Sequence, residues 1–344
     1  MFVPKYTITS KLLLNIKRIS TLIFELNSKQ YNSIVLTKME SSAREISAFS
    51  STSIEGNPLP LTEVKRILKN KPQNLRDSEQ EIINYNDTLI NMKDYISQSI
   101  IDFDLSLILK IHKGVTSKLL NKFQIGKLRQ ESVFVNDPKK RQTIYLPPDH
   151  ADIKKQLEEL IIFANTNKSL IDPLILAGIF HKQFVIIHPF VDGNGRTARL
   201  VTKLILATMG LNTFNLFSFE NYYNNNVSKY FEMVGVKGNY YEIKDAVDFT
   251  PWLEYFTDGI IDELLRVGQE LKTSALTPDT ELKDYHHQIL NYINKHGYIT
   301  DKDYARLTIR AKPTRNIDFN KLINQGYIER LGKGRATYYK NVVK

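Results

Sequence analysis

The stretch His188-Pro189-Phe190-Val191-Asp192-Gly193-Asn194-Gly195-Arg196-Thr197-Ala198-Arg199 brings together a proton acceptor, a carboxylate, a Gly-Asn-Gly turn and two arginines. Such a set suits the movement of a charged phosphoryl group. His188 is the residue here whose ordinary pKa fits a general base near neutrality. Asp192 offers an oxygen ligand of the kind that magnesium takes alongside substrate phosphates. Guanidinium groups bind phosphate oxygens in a fork and stay charged at every relevant pH, which fits Arg196 and Arg199. Singly, each piece would read as ordinary structure. Their order and spacing favour an enzyme over a binding module.

The flanking sequence says how these residues are carried. An apolar helical pattern from Leu174 to Ile187 runs into His188, and Pro189 discourages further helix. Gly193-Asn194-Gly195 reads as a tight turn, and a second apolar pattern follows through Leu200, Val201, Leu204, Ile205 and Met209. The turn therefore opens a helix, where free amides and the helix dipole favour an anion. Arg196 and Arg199 are three apart and share a helix face. Their place in the first turn is poor for helix stability and reasonable for holding phosphates.

The segment resembles the signature of the Fic family, His-Pro-Phe-x-Asp/Glu-Gly-Asn-Gly-Arg-x-x-Arg, with every fixed position matched. The resemblance implies a mainly α, Fic-type helical domain with a β-hairpin flap. It also implies a protein adenylyltransferase, a nucleotidyltransferase that moves AMP from ATP to a Ser, Thr or Tyr hydroxyl of a protein with release of pyrophosphate. On that template His188 deprotonates the hydroxyl and Asp192 holds Mg2+ against the α- and β-phosphates. Asn194 and the Gly193 and Gly195 amides hold the α-phosphate, Arg196 the β-phosphate and Arg199 the γ-phosphate, with Thr197 and Ala198 in the same ATP-binding run.

Upstream, Ser51-Thr52-Ser53-Ile54-Glu55-Gly56-Asn57 resembles the family's inhibitory pattern, in which Ser51, Glu55 and Gly56 are the matching positions. The resemblance pairs Glu55 with Arg199, leaving that arginine unavailable to the γ-phosphate. The same glutamate could instead orient a water that removes AMP. A new helix is expected over Leu61–Leu68, with Thr62 near its start.

Gly126-Lys127-Leu128-Arg129 leads into Ser132-Val133-Phe134-Val135-Asn136, then a polar turn, Asp137 to Arg141, then Thr143-Ile144-Tyr145-Leu146. Two β-rich runs about a polar break suggest a hairpin. Fic proteins carry a flap here, whose edge pairs with an extended segment of the protein substrate, and self-modification is compatible with it. The resemblance adds Val133, Phe134, Val135 and Asn136 to the nucleotide site. Downstream, Tyr230-Phe231 stands where relatives usually have Tyr-Tyr against adenine, so one hydroxyl is missing; Asn239 is expected at the pocket edge.

The chain has 344 residues, 42% hydrophobic and 24% charged, which is ordinary for a soluble protein and long enough for two domains. No run of about 18 apolar residues suggests a membrane span. Met1 to Lys11 lacks a signal peptide's apolar centre, and zero cysteines exclude disulfides and thiolate metal sites. A cytoplasmic location is expected, with no membrane partner.

The expected organisation is an N-terminal helical region over 1–102, a Fic catalytic domain over 103–270, a linker over 271–283 and a small domain over 284–344. Helical periodicity covers Leu12–Leu26, Ser78–Tyr95, Leu105–Leu120, Ile153–Ala164 and Trp252–Leu265. Residues 281–344 carry 13 Lys/Arg against 6 Asp/Glu, so most of the chain's formal +10 lies there. Helices over Tyr285–Lys295, Thr300–Leu307 and Thr314–Asn324, with Ile317, Leu322 and Ile323 inward, precede two strands, Tyr327–Arg330 and Ala336–Lys340. This order resembles a winged helix-turn-helix domain. In DNA-binding members the third helix enters the major groove, which would make Thr314, Arg315, Asn316, Asn320 and Lys321 DNA contacts, with Lys333 and Arg335 on the wing. Other winged helices dock proteins or form a homodimer.

Two functions compete. One is magnesium-dependent AMP transfer restrained by Glu55. The other is a DNA-binding regulator whose Fic domain senses nucleotide. Transfer of phosphate or another nucleotide fragment is a weaker third. His188 favours the enzyme, because a pure sensor needs no general base.

Overall fold

The structure, a computed structural model, describes residues 2–29, 31, 33–92, 103–136, 142–208, 216–275 and 282–342. It is mainly helical and divides into two compact units, Met1–Asn27 with Ser42–Arg266, and Ser28–Ser41 with Val267–Lys344. In chain order the helices are α1 (Ser10–Asn27), α2 (Ser33–Ile54), α3 (Leu61–Asn70), α4 (Asp77–Asn91), α5 (Leu105–Thr116), α6 (His150–Asn167), α7 (Pro173–Ile187), α8 (Asn194–Thr208), α9 (Glu220–Asn225), α10 (Val227–Val234), α11 (Tyr240–Ile243) and α12 (Thr250–Ala275). Three more, α13 (Asp284–His296), α14 (Asp301–Leu307) and α15 (Lys312–Asn324), belong to the second unit.

The first unit is built around α7. Asp172 caps that helix by accepting from the Leu174 amide, Pro173 opens it, and almost every residue in it is buried. A helix apolar on all sides belongs at the centre of a core. Gly178 lets α12 approach closely: a Cβ there would lie 2.6 Å from Leu253 Cδ2, and the Trp252 indole donates to the Gly178 carbonyl at 2.8 Å. His181 and Lys182 of α7 are buried but bonded, His181 through the Thr202 and Tyr230 hydroxyls. Lys182 Nζ donates to the carbonyls of Met233 and Gly235 at the end of α10, and burial pushes its pKa down to about 8.

Helix α5 stops at Thr116 rather than running on to Leu120, because the Asn84 side chain takes up the Val115 and Ser117 carbonyls. The hairpin forms from β1 (Val135–Asn136) and β2 (Thr143–Leu146), antiparallel with Val135 opposite Tyr145. The expected first strand is shorter, with Val133 and Phe134 preceding it, and the turn, 137–141, lies outside the described residues. A third strand, β3 (Gly238–Asn239), pairs parallel with β2 and was not foreseen.

The second unit has α13, α14 and α15 followed by antiparallel strands β4 (Ile328–Leu331) and β5 (Tyr338–Asn341). Thr300 caps α14 reciprocally with Asp303, and Gly297 ends α13 at φ 82°. Ile289, Ile293, Ile299, Tyr304, Phe319, Leu322, Ile328 and Tyr339 form its core. Two expectations are corrected. Ile317 is 65% exposed, because the inward face of α15 runs through Asp318, Phe319 and Leu322, and Ile317 lies roughly opposite. Leu271 to Ala275 are helical, not linker: Leu271 is buried and the Thr273 hydroxyl donates to the Gln269 carbonyl. Residues 276–281 lie outside the described residues.

Candidate active site

Helix α7 ends on His188 itself, whose backbone is left-handed at φ 50° and ψ 61°. A β-carbon makes that conformation costly, and glycine is the usual occupant of such a helix end. The surroundings fix it. The His188 amide donates to the Phe184 carbonyl at 3.0 Å, and the His188 carbonyl accepts from Arg129 Nε at 2.9 Å. His188 Nδ1 lies 3.3 Å from the Val185 carbonyl. A carbonyl only accepts, so Nδ1 carries the hydrogen and Nε2 keeps its lone pair. Burial pushes the imidazole down to about 4, helped by the Arg129 charge, so the ring is neutral at neutral pH.

The loop after it is stapled at both ends. Asn194 accepts from the Phe190 amide at 2.9 Å and donates to the Phe190 carbonyl at 2.8 Å. The Thr197 amide donates to the Gly193 carbonyl, which starts α8. Gly193 sits at φ 79°, and a Cβ there would lie 2.8 Å from Thr116 Cγ2. His112 closes the loop from α5. Its Nδ1 accepts from the Gly126 amide at 3.0 Å, so Nε2 donates to the Asp192 carbonyl, also at 3.0 Å, while its ring stacks on Phe190 with centroids 3.6 Å apart.

Both arginines of α8 are buried and paired. Arg196 bridges Asp192, at 2.7 Å, and Glu81 of α4. Burial alone would raise the Asp192 carboxyl, but the Arg196 guanidinium and the Gly193 amide hold it below the usual carboxylate range. Arg199 Nη2 meets Glu55 Oε1 at 2.7 Å, and Arg199 Nε and Nη2 donate to the Ser51 hydroxyl and carbonyl, each at 2.8 Å. The Tyr230 hydroxyl lies 3.3 Å from Arg199 Nη1 and 3.1 Å from His181 Nε2. Gly195 makes room for Glu55: a Cβ there would lie 2.1 Å from Glu55 Oε1.

A cavity of about 520 Å³ opens against this machinery. Glu55, Gly56, Val135, Asn136, His188, Asn194, Gly195, Tyr230 and Phe231 are among its lining residues. A second cavity, of about 320 Å³, is lined by Glu55, Gly56, Asp77, Glu81 and Asp192. Glu55 and Gly56 are common to both.

Other expected positions fall outside the larger cavity. Thr197, Ala198 and Arg199 are buried within the fold, Phe134 is exposed, and Val133 is half-buried. Asn239 caps α11 by accepting from the Tyr241 amide and pairs in β3. Tyr230 stacks on Tyr223 with centroids 4.8 Å apart. His112, Arg129 and Glu81 carry site contacts that the sequence reading missed. Their only signal was type: a histidine, an arginine before the flap and an acid on a helix. In the second unit Asn316, Asn320 and Lys333 are exposed, Lys321 and Thr314 are half-buried, and Arg315 is bound to Asp301 at 2.8 Å.

Among the described residues no group of three or more His, Cys, Asp or Glu forms a metal cluster. Asp192 is half-exposed and paired with Arg196, and as a single carboxylate it would suit magnesium shared with substrate phosphates. No helix among the described residues is long and apolar enough to cross a membrane.

The chain is 28% identical over 166 residues to the protein adenylyltransferase Fic of Nematostella vectensis, covering 47% of this chain and 37% of that protein. It is 28% identical over 191 residues to the protein adenylyltransferase fic-1 of Caenorhabditis elegans, covering 54% and 36%. The chain thus spans little more than a third of the length of these curated relatives. In fold it is similar to a Fic family protein from Desulfovibrio desulfuricans G20, with a TM-score of 0.66, 21% identity, and 100% and 99% of the two chains covered. Residues 102–206, which hold the histidine and both arginines, match the Fic/DOC family.

Proposed function

We propose that this chain transfers AMP from ATP to a Ser, Thr or Tyr hydroxyl of a protein, and that Glu55 restrains the transfer. The observation that carries the reading is the pairing of Glu55 with Arg199 beside a cavity edged by His188. The mainly apolar cavity suits a nucleoside, with Phe231 and Tyr230 on its wall. The α-phosphate belongs at the N-terminus of α8, where amides and dipole favour an anion. There Asp192 would hold Mg2+, which neutralises phosphate charge when bound. His188 Nε2 takes the proton of the attacking hydroxyl. The oxygen bonds to the α-phosphorus, the α–β bridging bond breaks, and its electron pair leaves with pyrophosphate. Arg199 would steady the leaving phosphates once Glu55 withdraws, and Arg196 once it turns from Glu81 and Asp192. The Glu55 carboxylate also supports a second reading, water-driven removal of AMP at the same site.

The test uses ATP labelled in parallel at the α- and γ-phosphates, with Mg2+. α-Label on protein in the Glu55→Gly variant, absent in Glu55→Gly/His188→Ala, is the expected result. γ-Label on protein would redirect the assignment to kinase chemistry. Loss of pre-loaded AMP in wild type but not in Glu55→Gly would favour removal.

For the second unit the reading is a winged helix. Its exposed Asn316, Asn320 and Lys333 favour contact with DNA, whereas Arg315 would first have to leave Asp301. Salt-sensitive retention of the full chain on duplex DNA, weakened by Lys333→Glu, is expected. No retention at any salt concentration would leave a protein-docking module.

A further inference from the structure

We propose that Arg129 is a positioning residue, one guanidinium that fastens both stems of the flap to the backbone of His188. The inference rests on the group-transfer reading above and adds to it how a hydroxyl presented along the flap is set against the base.

Arg129 is buried, and the oxygens it reaches are backbone carbonyls. Nε donates to His188 at 2.9 Å, Nη1 to Glu131 at 2.8 Å, and Nη2 to Pro148 at 2.5 Å. Glu131 precedes β1 and Pro148 follows β2, so two of the three arms hold the opposite ends of the hairpin. The third holds the one residue of the motif whose backbone is in a strained left-handed conformation. The Arg129 amide adds a bond to the Pro189 carbonyl at 3.0 Å. A planar fork can serve three carbonyls in one plane region at once, and a lysine ammonium on a flexible stem cannot reproduce that geometry. A buried cation that meets carbonyls alone is a costly way to stabilise a fold. It is an efficient way to lock a strand pair and a catalytic backbone in fixed relation. The flap has a separate tie to α7, the Tyr145 hydroxyl donating to the Ile186 carbonyl at 2.8 Å, so removing Arg129 loosens the flap without releasing it.

Arg129 does not line the larger cavity. The inference therefore predicts a split between turnover and nucleotide affinity. In the full chain carrying Glu55→Gly, Arg129→Lys and Arg129→Met are compared for self-labelling from α-labelled Mg-ATP. The maximal rate should fall roughly 10- to 100-fold, the range that a small misplacement of reacting groups produces. The ATP concentration at half-maximal rate should stay within about threefold, and the lysine variant should recover part of the loss. Hydrogen exchange supplies a readout independent of activity: amide protection in Val135 and in Tyr145 should fall together in both variants. A maximal rate within about twofold of the parent overturns the proposal, and so does rate falling in step with ATP affinity in both variants. Should the Glu55→Gly parent transfer no label at all, the transfer reading fails, and flap protection unchanged by Arg129→Met then overturns the clamp separately.

Discussion

Replacing Glu55 by glycine should weaken the empty protein and enlarge its response to ATP, two effects of one broken contact. Arg199 is fully buried, and Glu55 Oε1 lies 2.7 Å from its Nη2. Removing one partner of a buried ion pair costs about 3–5 kcal/mol, because a charge is left uncompensated. Here the cost is smaller. The Glu55 side chain is 28% exposed, and Arg199 keeps its bonds to the Ser51 hydroxyl and carbonyl. A loss of about 1–3 kcal/mol remains, or a fall in Tm of about 2–10 °C for a unit of this size. The freed guanidinium can then meet a γ-phosphate. A hydrogen bond to a charged group contributes about 1.5–3 kcal/mol, roughly ten- to hundred-fold in Kd. Calorimetric melting of wild type, Glu55→Gln and Glu55→Gly, each with and without Mg-ATP, reads both terms. Glutamine keeps a hydrogen bond without the charge and should fall between the other two. If Glu55→Gly melts with wild type when empty, or gains no more from Mg-ATP than wild type does, the pairing does not control access to Arg199.

Burial holds His188 at about 4, so it is unprotonated well into the acid range. A base that works when neutral loses activity as pH falls through its pKa. The kcat/KM of self-labelling by Glu55→Gly should therefore stay level from about pH 8 to about pH 5.5, and a fall centred near about 6.5 would mean an ordinary, solvated imidazole. Removing Glu55, whose charge raises the His188 pKa, moves that limb further down rather than up. At His112, phenylalanine keeps the stack on Phe190 but loses the bond to the Asp192 carbonyl and strands the Gly126 amide. A loss of about 1–3 kcal/mol is expected from the denaturant midpoint, and an unchanged midpoint would show that the stack alone matters.

What could be read from the sequence was mostly local. Pro189, the paired glycines and the apolar flanks of the motif act within a few residues of themselves, and the helix end, the turn and the new helix all form there. His112, Arg129 and Glu81 reach the site only through packing, and nothing nearby in sequence marks them. Helix α2 was missed for another reason. Its buried face includes Ala43, Ser47, Ala48, Ser50, Ser51 and Thr52, small and hydroxylated side chains that leave no strong apolar period to detect. Polar side chains also hid the last turns of α12, where Lys272, Thr273 and Ser274 read as loop although Leu271 and Val267 anchor that helix. Strand β3 has only two residues and exists because β2 is beside it.

The two cavities share Glu55 and Gly56 as a common wall. A ligand that occupies only the apolar side need not disturb the carboxylate. Adenosine would then enter the resting protein as readily as the Glu55→Gly variant, while the triphosphate tail alone would be turned away. Discrimination in the resting state would be by ligand length rather than by base, and a nucleoside-sized inhibitor would have no latch to open.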